Sequence, residues 1–148
     1  MNFVEEDFFA GMARLRREIG SVDLRTVEIL ACHIAIEKEI DLALLALLPR
    51  GEQLRGLGFG QKVSVLQASC HLTDIDRYAR PLLAFNELRN TVAHGEKRKI
   101  TSAFRSFCGS FDGTKLEEKH VTVPGLATAL MRMLTLIVKE EGYEIEGE

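Results

Sequence analysis

The chain has 148 residues, of which 46% are hydrophobic and 28% charged, with no tryptophan and a formal net charge of −3. A chain of this length buries enough apolar surface to hold together without disulfides or a structural metal. Its longest apolar stretch, residues 42–48, is far short of the ~20 residues a bilayer crossing requires, so no membrane span is expected, and the net charge argues against a general phosphate-backbone binder.

The three cysteines, Cys32, Cys70 and Cys108, form no C-x-x-C pair and no complete disulfide framework. The first residues are acidic and lack the long apolar run of a secretory leader, so a reducing cytoplasm is the expected setting. Charge is unevenly spread. Between Arg77 and Arg105 seven Lys/Arg face only Glu87 and Glu96, a local +5 that leaves −8 for the rest. A basic segment of this kind is either a solvated helix face or an approach path for an anionic polymer.

In chain order, Phe8, Met12, Leu15 and Ile19 recur at helical spacing and predict a helix over residues 4–19, stopped by Gly20. Asp23 is placed to cap a long second helix running to Leu48, where Pro49, Arg50 and Gly51 break it. Residues 51–60 hold four glycines and read as a loop. Lys62 to Leu72 reads as a shorter helix, and a fourth begins at Ile75 or Pro81 and runs to His94, stopped by Gly95. Ile100, Phe104 and Phe107 mark a fifth helix closed by Gly109, and Leu126, Leu130, Met133 and Ile137 a last one starting near Pro124. The acidic tail from Glu140 is expected to fray. The whole predicts one all-α domain, an antiparallel bundle of five or six helices.

Two helices carry polar groups where a plain bundle would not. On the long helix, one apolar stripe holds Ile29, Ile36, Ile40 and Leu47, and another holds Val27, Leu30, Ile34, Leu45 and Leu48. His33, Glu37 and Asp41 fall between the stripes, so the two carboxylates should be partly buried and need a cation or hydrogen-bond donors. On the fourth helix, Tyr78, Leu82, Phe85, Leu88 and Val92 form the apolar stripe, and Arg89 falls inside it. Arg89 is therefore the expected partner of Glu37 or Asp41. From Arg89 an arc of about 140° carries Asn86, Asn90 and His94.

The segment from Asn86 to Gly95 resembles the HEPN superfamily, whose motif is an arginine, four to six residues, then a histidine. Here that is Arg89-Asn90-Thr91-Val92-Ala93-His94. Asn90 matches the polar residue often found after the arginine, and Glu37 is supplied by an earlier long helix. Over residues 23–95 the helix spacing is similar to the mannitol operon repressor branch. The resemblance implies metal-independent RNA cleavage by a homodimer, often as a toxin paired with an antitoxin, with Arg89, His94 and Asn90 catalytic. In that reading Glu37 orients Arg89, and Asp41 and Asn86 support the site. Lys97 and Arg98 belong to the basic segment that would meet RNA. Histidine is the side chain whose ordinary titration lies near neutrality, and arginine grips two phosphate oxygens. One histidine cannot make both proton transfers, which a twofold dimer with two His94 would answer.

Other motifs are weaker. The run from Gly56 to Lys62 is neither G-x-G-x-x-G nor a P-loop, and it reads as a loop before a helix. Cys32-His33 and Cys70-His71 are neighbours about 100° apart on a helix, so no metal site and no cofactor are expected. Two rivals to the ribonuclease remain open: a non-catalytic regulatory or protein-interaction module in which Arg89 pairs with Glu37, and a nucleotide-binding helper to a transferase.

Overall fold

The computed structural model describes residues 10, 11, 13, 14, 17, 24–111 and 121–145. The expected helix over 4–19 lies mostly outside these residues, as do the proposed cap Asp23 and the stretch 112–120. Five α-helices follow one another: α1 (Leu24–Leu47), α2 (Phe59–Ser69), α3 (Ile75–Ala93), α4 (Lys97–Gly109) and α5 (Val123–Glu140), with a short 3-10 turn at Gly51–Leu54. No strand occurs among the described residues, and the chain is an all-α helical bundle.

The core is built from the stripes that helical spacing produces. Ile29, Ile36 and Ile40 of α1 are fully buried, joined by Ala43 and Leu44. They meet Leu130, Leu134 and Val138 of α5 and Leu82, Phe85 and Leu88 of α3 in one continuous cluster. Each fully buried Leu, Ile or Phe contributes about 1.5–3 kcal/mol of transfer free energy. The second expected stripe of α1 divides, with Leu30 and Leu48 half-buried against the core. Val27 and Ile34 are 52% and 59% exposed, because α3 and α5 occupy the opposite side of the helix.

Helix ends are set by local chemistry. α2 begins at Phe59, three residues ahead of the expected start, because the Gly58 N–H donates to Gln61 Oε1 at 2.9 Å and the Lys62 N–H reaches the Gly58 carbonyl. The first of these bonds satisfies a donor that a helix start leaves open, and the second is the first i→i−4 bond of the helix. α3 runs through Pro81 rather than starting at it, with the ring buried in the core. It stops at His94 because Gly95 takes φ +68, a left-handed conformation that glycine adopts without steric cost. Thr122 caps α5, its Oγ1 accepting the Gly125 N–H at 3.1 Å, with Pro124 in the first turn.

Over residues 141–145 the tail departs from the frayed segment expected, while 146–148 lie outside the described residues. The Tyr143 N–H returns to the Val138 carbonyl, and Ile145 is 8% exposed. The Glu141 carboxylate accepts the backbone N–H groups of His71 and Leu72 and also meets His71 Nδ1 at 3.1 Å. Burial pushes the Glu141 carboxyl upward, but the bonds from His71 and Leu72 outweigh it and hold its pKa below the ordinary 4.5. This clamp ties the turn between α2 and α3 to the end of α5. No described helix is long and apolar enough to cross a membrane.

Candidate functional site

The polar arc of α3 faces an open cavity of about 460 Å3 bounded by α1, the start of α2 and α3. His33 and Glu37 line it from α1, Gly58 to Gln61 from the start of α2, and Asn86, Arg89 and Asn90 from α3. The construction is local. Phe85 and Leu88, both fully buried, pin α3 to the core, so the neighbouring positions Asn86, Arg89 and Asn90 turn toward the cavity. Gly60 lies opposite Asn86, where an added Cβ would be 3.9 Å from the amide nitrogen.

His33 forms the inner wall. It is 6% exposed, stacks on Phe59 with ring centroids 4.5 Å apart, and places Nε2 3.3 Å from Asn86 Oδ1. Burial lowers its pKa, with the Asn86 hydrogen bond opposing, the Arg89 charge adding to the decrease and Glu37 opposing. The imidazole is therefore neutral at pH 7.

The expected pairing of Arg89 with Glu37 or Asp41 is not formed. Both carboxylates are held by Lys62, whose Nζ lies 3.1 Å from Glu37 Oε1 and 2.9 Å from Asp41 Oδ1. Burial disfavours the ammonium charge, but the hydrogen bonds and charges of Asp41 and Glu37 outweigh it and raise the Lys62 pKa above the ordinary 10.5. The physical reason is the packing of α2 on α1, which brings the Lys62 ammonium within reach of both carboxylates. Arg89 is left half-buried at the cavity wall with one hydrogen bond, from Nη1 to Asn90 Oδ1 at 3.3 Å, and no carboxylate partner among the described residues.

The other expected site residues divide. Asn86, Arg89, Asn90 and Glu37 share the cavity, whereas Asp41 sits one turn further along α1 in the Lys62 pair. His94 is exposed at the C-cap of α3, its N–H bonded to the Asn90 carbonyl, and does not line the cavity. Lys97 and Arg98 open α4 in a separate surface depression with Gly95, Glu96 and Lys99. Sequence reasoning left out Lys62, the cavity role of His33 and the contribution of the Gly58 to Gln61 turn. The available signal was the glutamine three residues after Gly58, half of a capping pattern, which brings α2 forward. Among the described residues no group of three His, Cys, Asp or Glu is arranged around a metal position.

No protein-family model, curated protein or solved structure matches the chain.

Proposed function

We propose that the chain is a HEPN-like domain that acts as a homodimer to cut RNA without a metal, as the toxin of a toxin–antitoxin pair in a reducing cytoplasm. One observation carries this reading. Arg89 stands at a cavity wall with no carboxylate neutralising it among the described residues, while Glu37 and Asp41, with which it could have paired, are committed to Lys62. An arginine left in that state is suited to an external anion, and its planar fork matches a phosphodiester. The R-x4-H spacing to His94 supports the same reading.

In the reaction a general base takes the proton of a ribose 2′-hydroxyl, whose oxygen attacks the adjacent phosphorus. The bond from phosphorus to the 5′-oxygen breaks as a general acid protonates that oxygen, leaving a 2′,3′-cyclic phosphate and a 5′-hydroxyl. Arg89 balances the charge that builds on the phosphorane oxygens. The exposure of His94 suits a site shared between two copies, in which one imidazole serves as base and its twofold mate as acid. The basic segment at Lys97 and Arg98 would meet the RNA backbone.

A second reading, a non-catalytic partner-binding module of the mannitol operon repressor type, draws on Val27 and Ile34, large apolar side chains exposed on one face of α1. Incubating the purified protein with RNA in excess EDTA, beside His94→Ala, separates the two. Chelator-resistant cleavage that disappears in the variant is the expected result. Intact RNA with the unmodified protein would overturn the ribonuclease and leave the module.

A further inference from the structure

Singly exposed apolar side chains are ordinary on a protein surface, but α1 carries a row of them. Val27, Ala31, Ile34 and Leu42 are all exposed, and at helical pitch they fall within an arc of about 80°. Lys38, also exposed, lies in the middle of that arc. Fully buried Ile29, Ile36 and Ile40 project from the opposite side of the helix, into the core shared with α3 and α5. An apolar row on the side of a helix that no described element covers marks a contact surface.

The row is complementary to a copy of itself. Val27 and Leu42 are equidistant from a midpoint between positions 34 and 35, each about 11 Å away along the helix axis. A twofold axis through that midpoint, perpendicular to α1, sets Val27 of one copy against Leu42 of the other at both ends and brings the two Ile34 side chains together at the centre. Charge fixes the direction. In this antiparallel arrangement Lys38 falls within one helical turn of Glu28 on the other copy, an exposed residue at the edge of the row, and symmetry makes the pair twice. A parallel pair in register would instead put Lys38 beside Lys38 and Glu28 beside Glu28. Ala31, the small member of the row, faces Lys38 and leaves room for its aliphatic stem.

We propose that the exposed face of α1 is a contact between two copies of this chain, in which their α1 helices pack antiparallel through Val27, Ile34 and Leu42 while Lys38 answers Glu28 across the axis. The contact lies on a different helix from His94, so it is additional to the cleft that two His94 would share, and it does not depend on the ribonuclease reading. A helix face of about 22 Å by 10 Å covers less than the ~800 Å2 per partner of a standard stable complex, so the dimer is expected to dissociate on dilution in the micromolar range.

The test is sedimentation velocity of the full chain from about 1 µM to about 200 µM, where a complex of this strength passes from monomer to dimer. Ile34→Asp places a charge at the centre of the face, Leu136→Asp places one on an exposed leucine of α5, and Glu28→Lys removes the counter-charge to Lys38. A reversible dimer is expected in the unmodified chain and in Leu136→Asp. It should weaken about tenfold or more in Ile34→Asp and about threefold or more in Glu28→Lys, with unchanged helical circular dichroism, and recover when Glu28→Lys is combined with Lys38→Glu. A monomer at every concentration of the unmodified chain overturns the proposal, and so does a combined swap that associates no more tightly than Glu28→Lys alone. The two readings fail separately. A dimer undiminished in Ile34→Asp overturns the α1 contact and spares the ribonuclease; a dimer lost in Ile34→Asp, with RNA intact throughout, supports the contact and removes the ribonuclease.

Discussion

Lys62 Nζ lies 2.9 Å from Asp41 Oδ1, and the lysine side chain is 2% exposed while the aspartate is 22% exposed. The ammonium depends on its carboxylates more than they depend on it, because only the ammonium is cut off from water. Removing both, as Glu37→Gln with Asp41→Asn, is expected to lower unfolding free energy by about 3–5 kcal/mol in urea denaturation. Adding Lys62→Met should recover most of that loss. A triple variant as unstable as the double would show that the burial of the charge is not what makes the pair necessary.

Among the described residues Arg89 has no carboxylate partner to lose. Arg89→Gln should change stability by no more than about 0.5 kcal/mol, as for surface substitutions. RNA cleavage by the same variant should fall about 100-fold or more, the loss typical of one charge-stabilising donor. Urea midpoints and cleavage rates measured on one preparation separate these effects, and a large stability loss would point to a structural arginine.

The lowered pKa of His33 has a consequence for folding. Above the ordinary value of 6.5 the ring is neutral in both folded and unfolded chains, and stability is at its full level. As pH falls below 6.5 the unfolded chain takes up the proton first, so stability declines until the folded pKa is also passed. Denaturation midpoints should therefore drop between pH 7.5 and 5.5, and the drop should shrink in His33→Gln. Arg89 and Glu37 act on the ring from opposite directions, so Arg89→Gln should flatten the slope as well.

Glu141 titrates in a lower window. Its carboxylate stabilises the fold above the ordinary 4.5, and this contribution is lost as pH falls further. Glu141→Ala is expected to cost about 1–2 kcal/mol, chiefly through the two backbone N–H bonds it removes, since the His71 side chain is 95% exposed and its ion pair is screened. Amide exchange at His71 and Leu72 should speed up ahead of the core amides. Equal protection in the variant would show that the clamp does not hold the turn.

Gly51 sits where the chain turns back against α1, and a Cβ there would fall on the Leu44 carbonyl. Gly51→Ala should cost about 1–3 kcal/mol, as overpacking does. Gly56 has nothing within 4 Å of an added Cβ, so Gly56→Ala is the matched control and should stay within about 0.5 kcal/mol.

The buried stripes on α3 and α5 were legible because each repeats at 3.6-residue spacing within one element, and Leu82, Phe85, Leu88, Leu130 and Ile137 are all in the core. The grouping of Asn86, Arg89 and Asn90 on one side of α3 was legible for the same reason. Burial along the two stripes of α1 could not be ranked, since Ile29 and Ile34 are equally apolar and only the placement of α3 and α5 leaves Ile34 exposed while Leu30 and Leu48 still pack on the core.

Periodicity in the sequence thus determined the helices, their order and the presence of an arginine beside two asparagines on a polar arc. Tertiary structure alone decided which cation answers Glu37 and Asp41, that His33 shares a cavity with Arg89, and that His94 stands outside it. The reason is range. Side-chain neighbours three or four residues apart follow from helix geometry, whereas Lys62 meets Glu37 across 25 positions, through the packing of α2 on α1.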